Sequence, residues 1–203
     1  MLIYLDTVWP QDGGKMKILI VGDSFAADWT VKYDNYLGWP NLIAKHHDTT
    51  NLAQAGVGQY KIYKQLQSVP VKDFDAVISV YTSPYRVHTH SHPIHNNDVL
   101  HKNCDLLAND VEYFAKRNKD NESLISAKNY FKYHFDFDYY NEIYKILVDK
   151  CDKLIGDVKH IHISNLDYVN GDWTTITENY KGLINHLSQE GNELVYNKLI
   201  KML

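Results

Sequence analysis

Residues 17–29 read KILIVGDSFAADW, and the fold turns on how this stretch is parsed. Ile18, Leu19, Ile20 and Val21 form an unbroken apolar run, the pattern of a strand buried on both faces. The run ends in Gly22, Asp23 and Ser24. A glycine lets the backbone turn sharply, and an aspartate can tie a turn with side-chain-to-backbone hydrogen bonds. Ser24 then falls at the carboxyl end of the first strand, where sites collect in parallel α/β sheets. On this reading its hydroxyl is exposed and its N–H lies near a helix N-terminus, suited to an oxyanion. The plainer reading is a helix cap, because Ser and Asp are favoured N-cap residues.

Outward from this stretch, strands and helices alternate. GWPNLIAKHH predicts a helix with Pro40 near its first turn, where the missing N–H matters least. TTNLAQ predicts a short second strand, and GQYKIYKQLQ a second helix. DAVISVYT predicts a third, central strand, and VKHIHIS (158–164) a fourth, with Val158, His160 and His162 alternating against Lys159, Ile161 and Ile163. SQEGNELVYNKLIKML predicts a closing helix. Between the third and fourth strands, Tyr140, Ile143, Tyr144, Leu147, Cys151 and Leu154 recur at helical spacing, which predicts a helix over 138–155. Just before it, Phe131, Tyr133, Phe135, Phe137 and Tyr139 stand at every second position. The stretch reads as an irregular, aromatic, packed connection, with an aromatic wall over a pocket as the alternative. The fold class is α/β, a mostly parallel sheet with helices on both faces. Residues 1–16 read as an N-terminal extension, either an added strand or an arm. Residues 17–203 read as a single domain with a helical insertion at about 84–157.

The 203 residues are 44% hydrophobic, enough to bury one core, and the formal net charge of -4 argues against a nucleic-acid partner. No segment approaches the length of a membrane span, and no signal peptide is visible, so the expected location is cytoplasmic. Cys104 and Cys151 read as free thiols of a reducing compartment, with one disulfide as the alternative.

A nucleophilic serine needs a base. Of the 11 histidines, His186 stands out, because it comes just before Ser188, a good N-cap for the closing helix. The last loop thereby falls at the same end of the sheet as Ser24. Together VGDSFA, NLAQAG, VYTSP and NHLSQEGN occur in the order and loops of the SGNH, or GDSL-type, hydrolases, and the chain from Lys17 to about Leu203 resembles that family. The resemblance implies a three-layer α/β/α sandwich, with Ser24 as nucleophile and His186 as general base. The backbone N–H groups of Ser24 and Gly56 would form part of the oxyanion hole. Such enzymes cleave esters, including acyl and acetyl groups on carbohydrates and lipids, and no cofactor is implied. Two departures stand out. Ser83 occupies the place of the family's oxyanion asparagine, and a hydroxyl can still donate one hydrogen bond. Thr82 is the donor if the register shifts by one. Leu183 stands where the family has its triad aspartate, so Asp172, Glu178 or a backbone carbonyl replaces it, or the pair works as a dyad. Arg86 reads as an anchor for an anionic or carbonyl-bearing substrate, or as half of a structural ion pair.

The functional expectation is a serine esterase acting on a small-molecule or carbohydrate ester. The alternative is a catalytically impaired carbohydrate- or acyl-binding module of the same fold. A doubly wound nucleotide-binding domain is disfavoured, because GDSFAADW lacks the glycines that cradle phosphates. The segment RVHTHSHPIHNNDVLH carries His88, His90, His92, His95 and His101. Imidazole suits zinc, copper and nickel. The segment also has Pro93, two adjacent asparagines and no regular period, so it reads as a mobile loop with weak, adventitious metal binding at most.

Overall fold

The computed structural model describes residues 14–163, 180, 182 and 186–203. Four strands, β1 (Lys17–Gly22), β2 (Asp48–Asn51), β3 (Ala76–Val80) and β4 (Lys159–Ile163), form one sheet in the order β2-β1-β3-β4. All pairings are parallel; Ile18 faces Ala76 across β1–β3, and Val80 faces Ile163 across β3–β4. Strand composition follows position. β1 and β3 lie at the centre, covered on both faces, and are apolar from Ile18 to Val21 and, but for the buried Ser79, from Ala76 to Val80. The edges differ: β2 reads DTTN and is half-buried, while β4 alternates Ile161 and Ile163, both buried, with His160 and His162.

The described helices are α1 (Trp39–Ala44), α2 (Gln59–Gln67), α3 (Ala108–Arg117), α4 (Glu122–Tyr133), α5 (Phe137–Ile155) and α6 (Gln189–Met202). Alternate residues along β1 serve two cores. Ile18 and Ile20 pack with Ile78, Ile163, Trp39 and Ile43 of α1, and Val195 and Leu199 of α6. Leu19 and Val21 pack with Val77, Ile62 and Leu66 of α2, and Cys151 and Ile155 of α5. Each such fully buried side chain contributes about 1.5–3 kcal/mol of transfer free energy. The result is the expected three-layer α/β/α sandwich. The parallel order follows from the helices that link successive strands, and it gathers the strand ends on one side, where the candidate site lies.

Every predicted strand and helix among the described residues forms. The aromatic stretch 131–139 does not form an irregular connection. Phe131 and Tyr133 close α4, and Phe137 and Tyr139 open α5. Asp136 caps the second of these helices by accepting from the N–H of Tyr139 at 3.0 Å. Spacing by two arises there because a helix end and a helix start sit either side of a short turn. Both cysteines are free and buried. Among the described residues, no helix is long and apolar enough to cross a membrane.

Candidate functional site

The site begins where β1 ends. Gly22 has φ +153°, and a Cβ there would lie 2.7 Å from the Val80 carbonyl oxygen and 2.9 Å from the Val80 Cβ. Only glycine lets β1 and β3 end side by side. Past the ladder, the Gln65 side chain of α2 takes over the backbone bonding of Gly22, accepting from its N–H at 2.8 Å and donating to its carbonyl at 3.1 Å. Asp23 then makes the side-chain turn expected of it, its Oδ1 accepting from the Phe25 N–H at 3.0 Å.

Ser24 follows. It caps no α-helix. The chain makes a turn over 24–26 and then a short 3-10 turn, Trp29–Val31, whose cap is Asp28. The expected helix N-terminus beside Ser24 is therefore absent, because the side chains of Trp29, Trp39 and Asn51 bond the carbonyls of the turn instead. Trp29 Nε1 donates to the Ser24 carbonyl at 2.8 Å, Trp39 Nε1 to that of Phe25 at 2.8 Å, and Asn51 Nδ2 to that of Ala26 at 2.8 Å. Three elements thus hold three successive carbonyls.

His186 reaches the same place from the other end of the chain. Its ring lies 4.4 Å from that of Trp29 and 4.9 Å from that of Phe25, centroid to centroid. Ser24 and His186 line one small cavity, walled by Phe25, Trp29, Tyr36 and Leu187, with about 210 Å³ of empty space counted out to solvent. Both residues are 8% exposed. Ser188 caps α6 as expected, accepting from the Gly191 N–H at 3.2 Å. Asn192 on α6 does what sequence reading did not assign to it. Its Oδ1 accepts from the Trp39 N–H at 3.0 Å, and its Nδ2 donates to the Tyr36 hydroxyl at 3.1 Å. It thereby joins the His186 loop to α1. Asp172, Glu178 and Leu183 lie outside the described residues.

Ser83 and Arg86 line a second cavity, with about 400 Å³ of empty space counted out to solvent, whose far wall is Tyr140, Ile143, Tyr144 and Leu147 of α5. Ser83 Oγ accepts from the Tyr85 N–H at 3.3 Å, which leaves its own O–H to donate. Thr82 is buried, and its Oγ1 accepts from Arg86 Nε at 3.0 Å. Arg86 also donates to the Gly56 carbonyl at 3.1 Å. Among the described residues no carboxylate lies within ion-pair distance of Arg86. Gly56 sits between β2 and α2 with φ +76°, its Cα facing Cys104. Burial pushes the Tyr144 phenol up to about 12, with the nearby charges of Cys151 and Asp23 adding to it, so this wall lies close to the Asp23–Ser24 turn.

Asp105 braces the second cavity. Its side chain is buried and pairs with Lys61 Nζ at 2.7 Å. It also accepts from the Gly58 N–H at 2.7 Å and the Thr89 N–H at 3.0 Å. One carboxylate thus ties three loops together. Nothing in its immediate sequence, NCDLL, marked it.

A second serine and histidine meet in the sheet. Ser79 Oγ and His160 Nε2 are 2.7 Å apart, and His160 Nδ1 lies 3.8 Å from Asp152 Oδ1. The order of residues mimics a hydrolytic triad, but Ser79 is fully buried in β3, where no substrate carbonyl can approach it. The pair satisfies polar groups between the sheet and α5. Burial pushes the His160 imidazole down, against the opposing pull of Asp152. The folded pKa is therefore below the unfolded value of about 6.5, and the unfolded chain binds the extra proton. This contribution to stability is present above that value and is lost as pH falls through it. A urea midpoint that drops between about pH 7.5 and pH 5, and drops less in His160→Gln, is the expected result.

A four-stranded parallel sheet with helices on both faces, and a serine and a histidine on one cavity at its carboxyl end, define an α/β sandwich with a polar site at its strand ends. No family model matches the chain, and no curated protein matches it. Among solved structures it is similar to a protein of the G-D-S-L family from Desulfitobacterium hafniense DCB-2, a candidate lipolytic protein. The identity is 14%, over 93% of this chain and 100% of that one, with a TM-score of 0.40. A likeness of that degree identifies neither a shared family nor a shared reaction.

Proposed function

We propose that the chain is a serine esterase that removes short acyl groups from a small-molecule or carbohydrate ester. The observation that carries this reading is the shared cavity of Ser24 and His186, two residues from opposite ends of the sequence. In the proposed reaction His186 takes the Ser24 proton as Oγ attacks the ester carbonyl carbon. The N–H groups of Ser24 and Gly56 and the Ser83 hydroxyl receive the developing oxyanion. Collapse expels the alcohol, which takes its proton from His186, and water then releases the acyl group by the same steps in reverse. Phe25 and Trp29 close in on the space beside Ser24, which favours a small acyl group over a long chain. The alcohol portion would lie over the second cavity, where Arg86 offers N–H donors to an anion or carbonyl.

A serine-directed fluorophosphonate tests the reading. Labelling of Ser24, with turnover that falls as the acyl chain lengthens, is expected; an unlabelled protein would instead be a binding module. The role of Ser83 is tested separately. Loss of an oxyanion donor costs on the order of 2.7–4 kcal/mol where the donor is a rigid asparagine. Ser83→Ala should cost less, because a hydroxyl is less firmly aimed, and the loss should appear in kcat. Unchanged kcat in both Ser83→Ala and Thr82→Ala would remove this loop from the mechanism.

A further inference from the structure

The histidine-rich segment does not present its rings at random. His88 turns to Asp105, with Nδ1 3.3 Å from its carboxylate, and His90 points to solvent. His92 turns inward and is 2% exposed. Its ring lies 4.7 Å from that of His95, which lies 5.3 Å from that of His101. Cys104 folds back onto them, buried, its N–H donating to the His101 carbonyl at 2.8 Å. One ligating atom each from His92, His95 and Cys104 lies within 4.8 Å of the others. We propose that His92, His95 and Cys104 form a zinc(II) site that closes the 92–104 stretch of the loop on itself.

The donor set suits the ion. Zinc takes imidazole nitrogen and thiolate sulfur in tetrahedral sites at about 2.0–2.3 Å, which sets neighbouring ligand atoms about 3.3–3.6 Å apart. Small side-chain rotations close the remaining gap. His92 Nδ1 accepts from the N–H groups of Ile94 and His95 at 3.2 and 3.4 Å. These are long bonds, and ligation of zinc through Nδ1 displaces them. A cysteine binds zinc as thiolate, so the Zn–S bond forms as Cys104 gives up its proton to solvent. The nearby Lys61 charge is neutralised by Asp105 at 2.7 Å and does not oppose the ion. The fourth position goes to water or to His101. The Nδ1 of His101 is held by Asp98 at 3.2 Å, the carboxylate–imidazole arrangement that orients ligating rings.

Sequence spacing pointed the other way, because it could not show the chain returning from His95 to Cys104. The site includes neither Ser24 nor His186 and stands or falls apart from the esterase reading.

The test uses the full chain, purified without a metal-affinity step, equilibrated with zinc and dialysed. One zinc per chain is expected, with release of a proton on binding. Cobalt(II) in place of zinc should give tetrahedral visible bands and a near-ultraviolet thiolate-to-cobalt charge-transfer band. Cys104→Ser should abolish the charge-transfer band and weaken zinc by about tenfold or more, as should His92→Ala, while His90→Ala changes neither. A wild-type cobalt complex without the thiolate band, or metal that follows His90, overturns the proposal. The wild-type spectrum decides the matter even if the ligand variants do not fold.

Discussion

Ser24→Ala is expected to lower kcat for a short aryl ester by about ten-thousand- to million-fold while leaving the fold intact. His186→Ala should do the same, and the double variant should be little worse than either. Members of one nucleophile–base unit are not additive, because once the proton acceptor is gone the hydroxyl contributes almost nothing more. The fold should survive because Ser24 is tied to the turn through its backbone carbonyl, which accepts from Trp29 Nε1, and alanine keeps that carbonyl. Melting temperatures within about 2 °C of wild type would fit that account. Near wild-type hydrolysis by Ser24→Ala would end the serine mechanism.

The largest loss of stability is expected from Gly22→Ala. The new methyl would lie 2.7 Å from a backbone carbonyl of β3 and hold φ at +153°, so both crowding and backbone strain oppose it. Overpacking and a strained φ each cost about 1–3 kcal/mol, which together lower the melting temperature by roughly 5–15 °C. Gly156→Ala is the control. Its φ is +59°, but nothing lies within 4 Å of the added carbon. It carries only the backbone term, about 1–3 kcal/mol for a side chain held at φ +59° and ψ −127°. The difference between the two variants measures how tightly β1 and β3 approach at their ends. Equal losses would mean that β3 yields freely.

The sheet was legible because its pattern is local. Ile18–Val21 is apolar throughout and Ala76–Val80 apolar but for the buried Ser79 because both faces are covered, and DTTN and KHIHI carry the polarity of edges. The glycine and aspartate of the first turn could also be read, since each acts within two or three residues or through the backbone. Ser24 was placed at the right strand end, but the helix expected after it was not there. What replaces that helix is long-range: Trp39 and Asn51 bond its carbonyls from α1 and β2. Asn192, Asp105 and Cys104 went unassigned for the same reason. Each acts on partners far away in sequence, and no periodicity records such a partner. The aromatic repeat at 131–139 misled because a spacing of two can arise across a helix–turn–helix junction as readily as along a strand.

The three carbonyls bonded by Trp29, Trp39 and Asn51 have a consequence for how such a protein can change. The serine turn is clamped by β2, α1 and the 3-10 turn, whereas the loops around Arg86 are clasped by Asp105 and Lys61 from α2. The two braces have no residue in common. Leu100, however, packs with Trp29, and Asp98 pairs with Lys32 at 2.7 Å, so the loop between Ser83 and Asp105 touches the serine turn as well as the Arg86 side. A substitution or insertion in that loop therefore reaches the Ser24 turn through Trp29, whose ring nitrogen holds the Ser24 carbonyl.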